Sequence, residues 1–214
     1  MIYDAVYYIN LDKCTDRQKR IENILKSHNI NGTRYPAIDG NNIIKKNINK
    51  YFENQDYKVL TGNIGTLLSH TNLWKKIENE DNEIVLILED DSVVVNDFNN
   101  LLENSHKEVP NDWDIIYVGS NKLKGTKLSD NIFVPTEGNF IGYNSGMFGY
   151  LIKKSSIPKL LNIIFPLPNK FNCIDVILRN NFSKFKAYFL INKLIIHDDK
   201  FESERLKKNK IVKV

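Results

Sequence analysis

Residues 84–93 read IVLILEDDSV, five apolar residues from Ile84 to Leu88 running directly into three consecutive carboxylates, Glu89, Asp90 and Asp91. A short apolar run with β-branched members and an abrupt polar stop is the pattern of a central strand in a parallel sheet, covered on both faces. Ligands of open α/β sheets collect outside the carboxyl ends of such strands. Three adjacent acids raise one another's pKa unless a positive group holds them, and hard divalent ions such as Mn²⁺ or Mg²⁺ prefer oxygen ligands of this kind. The run therefore carries two readings, a metal-binding strand end or an acidic turn capping the next element, and its context has to choose between them.

Working outward, strand and helix patterns alternate. Upstream, Gly65 to Glu78 has helical spacing in Leu67, Leu68, Thr71, Trp74 and Ile77, which predicts an amphipathic helix that delivers the chain to the acidic strand and carries Ser69 and His70. Downstream, Phe98, Leu101 and Leu102 predict a short helix, and Trp113 to Val118 a strand ending at Gly119. Near the start, Asp4 to Leu11 predicts a buried strand, and Thr15-Asp16-Arg17-Gln18 has the capping-box pattern that opens a helix. Asn10, Asp12, Arg17 and Arg20 gather near that strand's carboxyl end. Arg17 and Arg20, three apart, either neutralise a diphosphate or are solvated helix-surface charges.

Thr33 to Ile38 predicts a strand interrupted by Pro36 and stopped by Asp39-Gly40, whose carboxylate either hydrogen-bonds a base or ribose or builds a turn. Asn41 to Tyr57 has little periodicity and is left unassigned. Asn139 to Ile152, with Gly142, Gly146 and Gly149 among aromatics, predicts a strand approached closely by a neighbouring backbone or a ligand. A helix is predicted after Ser155 or Ser156 with Pro158 in its first turn, another over Asn172 to Phe182 with Asp175 near its start, and a last strand over Ala187 to Ile191, leading to His197.

Composition bounds the function classes. The 214 residues are 42% hydrophobic and 26% charged, enough for one domain (1–214) with a sizeable core, and the net charge is only +4. No zinc-finger or recognition-helix spacing and no basic groove interleaved with aromatics is present, so nucleic acid is not an expected partner. Cys14 and Cys173 lie far apart without Cys-x-x-Cys spacing, which fits reduced thiols in a cytoplasm. No signal peptide or bilayer-length apolar run is apparent. Abundant Asn, Ile and Lys fit an AT-rich bacterial or large viral genome, so the expected location is cytoplasmic, in a host cytoplasm if viral. Residues 205–214 hold five basic residues and no acid, which is either a solvated terminus or a weak peripheral contact with anionic lipid or phosphate.

Taken together, YYINLDKCTDRQKRI (7–21), YPAIDG (35–40), IGTLLSHTNLWKKI (64–77), LILEDDSV (86–93), WDIIYVG (113–119) and Ile174-Asp175 resemble glycosyltransferase family 25, which includes lipooligosaccharide and collagen galactosyltransferases. The likeness spans nearly the whole chain, and the Ser-His-x-x-x-Trp run ahead of Glu-Asp-Asp is its most diagnostic pair. It implies an α/β, GT-A-like (Rossmann-like) fold, a mixed, mostly parallel sheet flanked by helices. It also implies an inverting, metal-dependent hexose transfer, galactose first among the sugars, from a UDP-sugar to a glycan, lipid-linked or hydroxylysine-type protein acceptor.

By resemblance, Glu89 and Asp91 take the metal-side role, with His197 as a third ligand and Asp90 packing or hydrogen-bonding behind them. Asn10, Asp12, Arg17, Arg20, Asp39 and Gly40 line the nucleotide side, Ser69 and His70 lie near the diphosphate, and Asp175 is the base. The residues after His197 and the later Ser203-Glu204 look more like the collagen-modifying branch. Two departures are the short chain and the polar segment Lys122 to Gly138 where an acceptor loop is expected. A catalytically silent nucleotide-sugar- or glycan-binding protein of the same fold is the second reading. A haloacid-dehalogenase-type phosphohydrolase would need Asp-x-Asp-x-Thr after the first strand, which is missing.

Overall fold

The computed structural model describes residues 1–43, 48–53, 58–168, 173–198 and 211–213. The run that opened the reading is a strand, β4 (Ile84–Glu89), and Val85 to Leu88 have no exposed surface at all. It pairs in parallel with β1 (Ala5–Asn10), which pairs in parallel with β2 (Gly32–Pro36). On its other side β4 meets β9 (Gly149–Lys153) antiparallel, and β9 in turn meets β6 (Ile115–Tyr117) antiparallel. The eight-stranded sheet is completed by β10 (Ala187–Leu190), parallel to β6, and by a hairpin of β7 (Gly125–Lys127) and β8 (Ile132–Pro135). Six strands point one way and only β8 and β9 oppose them, the mixed, mostly parallel sheet that was expected.

Strand alternation divides the core cleanly, because successive side chains leave opposite faces of a sheet. Tyr7, Ile9, Val85, Ile87, Tyr150 and Ile152 face α2 (Thr61–Ile77), α4 (Ile157–Ile164) and α5 (Ile174–Arg179). Val6, Tyr8, Leu86, Leu88 and Leu151 face α1 (Thr15–Ser27) and α3 (Phe98–His106). The continuous apolar character of β4 follows from having both faces covered.

Several local expectations are corrected. The capping box at Thr15 is not what opens α1, because Cys14 occupies the N-cap and Thr15 is already helical. Ser156 sits at the N-cap of α4, but its hydroxyl donates to Asp114 Oδ1 at 2.6 Å instead of capping. Pro36 ends β2 on the sheet's edge, where a missing N–H costs no ladder bond. Helix α2 starts at Thr61, before the apolar spacing becomes regular, and α5 is shorter than its pattern. Of Asn139–Ile152 only the end is strand, and the polar segment 122–138 forms the edge hairpin.

Two short pairings outside the main sheet matter for the site. Strand β5 (Ser92–Val94), just after the acids, pairs antiparallel with β11 (Ile195–His197), placing His197 opposite Ser92. Strand β3 (Lys58–Leu60), which enters α2, pairs antiparallel with β12 (Ile211–Lys213), so part of the basic tail is sheet backbone; 199–210, with Ser203, Glu204 and most of the tail's charges, lie outside the described residues. Among the described residues no helix is long and apolar enough to cross a membrane.

Candidate active site

The carboxyl ends of β1 and β4 lie side by side, Ile9 opposite Glu89, so both strands deliver polar residues to the same rim of the sheet. Asp90 turns inward: its Oδ2 accepts from Asn10 Nδ2 at 2.7 Å and its Oδ1 is 2.5 Å from Arg17 Nη2. The same guanidinium nitrogen donates to Asp91 Oδ2 at 2.5 Å. Arg17 thus leaves α1 to bridge both aspartates and is buried, so it is not a solvated helix-surface charge. Arg20, one turn on, goes elsewhere, pairing with Asp198 at 2.5 Å and donating to the Ser92 carbonyl. It fastens the β5–β11 corner and is not part of the cleft lining.

Asn10 is fully engaged as a brace, accepting from Arg34 Nε at 2.9 Å and donating to Asp90 and the Cys14 carbonyl. Asp12 is largely exposed and pairs with Arg34; it borders a groove beside the main cleft, with Leu11 and Ile43. Asp39 pairs with Lys13 at 2.7 Å and accepts from the Asn41 N–H at 3.0 Å, and the Lys13 ammonium holds its carboxyl below the usual range. Gly40 is needed for packing: a Cβ there would lie 1.7 Å from the Thr61 carbonyl oxygen, so the turn after β2 can rest on the first turn of α2 only without a side chain.

Helix α2 supplies the next wall. Ser69 donates to the Gly65 carbonyl at 2.7 Å and accepts from the Ile38 N–H at 2.8 Å, bracing the β2 exit. His70 is buried, with Nδ1 2.8 Å from the Tyr150 hydroxyl and Nε2 3.2 Å from Glu89 Oε1. Trp74, four residues on, donates its indole N–H to the same Tyr150 oxygen at 2.9 Å. The Ser-His-x-x-x-Trp spacing is thereby explained: residues four apart share a helix face, and here they reach β9 and the acidic end of β4.

Two adjoining clefts result. The first is walled by Lys13, Arg17, Asp39, Ser69 and His70, and the second by Asn121, Gly146, Phe148, Asp175 and His197; Thr66, Glu89 and Asp91 line both. Asp175 Oδ2 accepts from the Gly146 N–H at 3.1 Å and its Oδ1 from the Val176 N–H at 2.9 Å, so the late acid is held facing the acidic triplet's cleft. His197 Nε2 lies 3.4 Å from Asp91 Oδ2 with its ring edge-on to Phe148. The Asp198 N–H donates to the Asp91 carbonyl at 2.9 Å. Lys13, Thr66, Asn121 and Tyr150 were missed in the sequence, and Gly146 was read only as part of a run approached closely by a backbone or a ligand. Lys13 beside a strand end and the glycine-rich run around Gly146 were readable signals, whereas Tyr150 and Asn121 gave none.

The electrostatics of the triplet are unbalanced. Burial pushes the Asp90 carboxyl up to about 6, and the charges of Asp91 and Glu89 add to it against the pull of Arg17 and Asn10. Asp91 is likewise raised, by burial first and then by Glu89. Its Oδ1 is buried and meets no hydrogen-bond donor among the described residues. A lone buried carboxylate oxygen beside a second acid and an imidazole fits an additional cation, and the oxygen and nitrogen donor set suits a divalent one. Among the described residues no three His, Cys, Asp or Glu side chains already converge as a cage for an ion.

The fold belongs with GT-A-like glycosyltransferases: a solved glycosyltransferase involved in the glycosylation of the major capsid of PBCV-1 superposes with a TM-score of 0.51 at 10% identity, covering 94% of this chain and 95% of that one. The model of glycosyltransferase family 25, described as an LPS biosynthesis protein, matches residues 3–178, and the chain belongs to that family. It is 29% identical over 176 residues to procollagen galactosyltransferase 1-B of Xenopus laevis, covering 76% of this chain and 28% of that relative. It is 26% identical over 175 residues to procollagen galactosyltransferase 2 of Homo sapiens, covering 75% of this chain and 28% of the relative. The chain thus spans less than a third of the length of these relatives. His197 lies beyond the family match.

Proposed function

We propose that the protein is an inverting, metal-dependent hexosyltransferase that moves galactose from a UDP-sugar to a glycan, lipid-linked or hydroxylysine-type protein acceptor, acting in the cytoplasm. The observation that carries this reading is the meeting of the two clefts at Glu89 and Asp91, with an Asp91 oxygen that is buried and has no hydrogen-bond partner among the described residues, Arg17 lining the first cleft and Asp175 the second. The donor occupies the first cleft. Lys13 and Arg17 face its diphosphate, and Asp39 hydrogen-bonds its base or ribose. Asn10, Ser69, His70 and Asp90 hold the surrounding groups in place.

Glu89, Asp91 and His197 would hold Mn²⁺ or Mg²⁺, which when bound stabilises negative charge on the leaving diphosphate without moving a proton. The acceptor enters the second cleft. Its hydroxyl oxygen attacks the anomeric carbon from the face opposite the diphosphate, the bond to the diphosphate oxygen breaks, and Asp175 takes the hydroxyl proton. Holding both partners between the clefts converts a bimolecular step into an effectively unimolecular one. The procollagen galactosyltransferase names of the relatives support galactose and a protein acceptor, and the family's description as an LPS biosynthesis protein supports a glycan one. Basic residues of the tail would add weak contact with an anionic membrane surface near a lipid-linked acceptor.

The test is UDP release by purified protein given Mn²⁺ and a panel of UDP-sugars, with glycan and hydroxylysine-peptide acceptors. UDP-galactose is expected to give the largest signal. Absence of both binding and turnover with every nucleotide sugar would overturn the proposal, and binding without transfer to any acceptor would favour a silent binding protein.

A further inference from the structure

The buried contacts among Trp74, Tyr150 and His70 form a line that starts in the core and ends on the acidic triplet. We infer that Trp74, Tyr150 and His70 are a chain of positioning residues that fixes His70 as an Nε2–H donor to Glu89 and so aims this carboxylate at the cation site. The inference rests on the metal reading above for its purpose, but its geometry does not.

The proton order follows from the donor inventory. An indole N–H only donates, so Trp74 Nε1, 2.9 Å away, uses a lone pair of the Tyr150 oxygen. The phenol is fully buried, and among the described residues the acceptor within reach of its hydrogen is His70 Nδ1 at 2.8 Å. Burial raises the Tyr150 hydroxyl well above its ordinary range, so it keeps that hydrogen. With Nδ1 accepting, the ring's hydrogen sits on Nε2, 3.2 Å from Glu89 Oε1, where a carboxylate accepts it. Reversing the order would turn a lone pair of Nε2 toward the carboxylate oxygen and leave the phenolic hydrogen without an acceptor.

The arrangement is rigid for reasons visible in the fold. His70 and Trp74 share one face of α2, and Tyr150 stands on β9 opposite Ile87 of β4, one strand from the acids. Trp74 and Tyr150 have no exposed surface, and their rings meet edge-on at 6.4 Å. Groups behind a metal ligand set its orientation and basicity, and their loss commonly costs ten- to a hundredfold in metal affinity. Neither His70 nor Tyr150 is asked to touch the sugar or the diphosphate; both act through Glu89.

The experiment has two arms on the full chain. In the first, ¹⁵N NMR of the histidine side chains, with His70 assigned by its loss in His70→Gln, reads the tautomer in the wild type and in Tyr150→Phe. The expected result is Nε2–H in the wild type and a mixture of tautomers once the phenol is gone. In the second, Mn²⁺ binding is followed by EPR of the free ion. Tyr150→Phe is expected to weaken it about tenfold, and His70→Gln, whose amide can still donate to Glu89, to weaken it less than His70→Ala. An Nδ1–H tautomer in the wild type overturns the chain without Tyr150→Phe having to fold. A folded Tyr150→Phe with unchanged tautomer and unchanged Mn²⁺ affinity overturns it as well. Wild-type protein that binds no Mn²⁺ defeats the metal reading instead, and the tautomer arm then decides the chain alone.

Discussion

Two buried aspartate sites lie at opposite ends of the central strands. Asp114, at the amino end of β6, is met by Lys159 Nζ at 2.7 Å, by the Lys186 N–H at 2.7 Å and by the Ser156 hydroxyl at 2.6 Å. Burial works against its charge, but these donors outweigh burial and hold the carboxyl below its usual range. Asp90 and Asp91, beyond the carboxyl end of β4, share one guanidinium, sit beside a third acid and are both raised. The same side chain at similar burial is thus satisfied in one place and frustrated in the other. A satisfied acid is cement. A frustrated one keeps an unmet demand for positive charge, which is what a binding site offers to a cation or a cation-bearing ligand.

The contrast can be broken most sharply at Asp91. Asp91→Ala is expected to lower UDP release by about a thousandfold or more, as removal of a principal electrostatic stabiliser does, while urea melts shift by less than about 1 kcal/mol because a poorly compensated buried charge has gone. Asp175→Asn is expected to lower kcat by roughly a hundred- to ten-thousandfold, the range of a general base, with UDP affinity retained in a direct binding assay. Loss of UDP binding in that variant would move Asp175 from proton transfer to donor binding.

Mn²⁺ provides a third test. At about a hundred times its Kd it should stabilise the wild type by roughly 2.7 kcal/mol, a rise of several degrees in Tm by calorimetry, and do nothing for Asp91→Asn. Asp114→Ala should do the reverse of Asp91→Ala. It costs roughly 2–3 kcal/mol in urea unfolding, because Lys159, Ser156 and the Lys186 N–H lose their acceptor, and leaves kcat per folded molecule unchanged.

The smallest effect is a pH dependence. The folded-state value of Asp114 lies below its unfolded one, so its stabilisation is fully present above about pH 4, the unfolded carboxylate range, and fades as pH falls through the depressed folded value. The difference in unfolding free energy between wild type and Asp114→Asn should therefore be flat from pH 7 to about 5 and shrink only in the acid range. A difference that grew on acidification would have the wrong sign.

Much of this was legible in the chain. The apolar run before Glu89 required a strand covered on both faces, and the helical spacing of Leu67, Leu68, Trp74 and Ile77 required a helix, though not the one-sided burial expected of it: α2 is buried on nearly every side, including Ser69, His70 and Thr71. Periodicity and an abrupt polar stop are local properties, so the sequence carries them intact. The acids at the end of β4 were readable for the same reason. Asp114 was also in plain view, but only as a residue before a strand; its three partners come from positions 156, 159 and 186.

What the sequence could not state is which distant groups close around those acids. Arg17 and Arg20 look alike one helical turn apart, yet one bridges Asp90 and Asp91 and the other pairs with Asp198, because the β5–β11 pairing brings 195–198 against the end of β4. Tyr150 looked like one aromatic among several and became the link between Trp74 and His70 once β9 entered the sheet beside β4. Sequence by itself determined the strand, the helix and the acidic stop, since these depend on neighbours within a few residues. Tertiary structure alone decided which acids are satisfied and which are left short of charge, since compensation depends on groups tens to more than a hundred residues away being folded to within hydrogen-bonding distance.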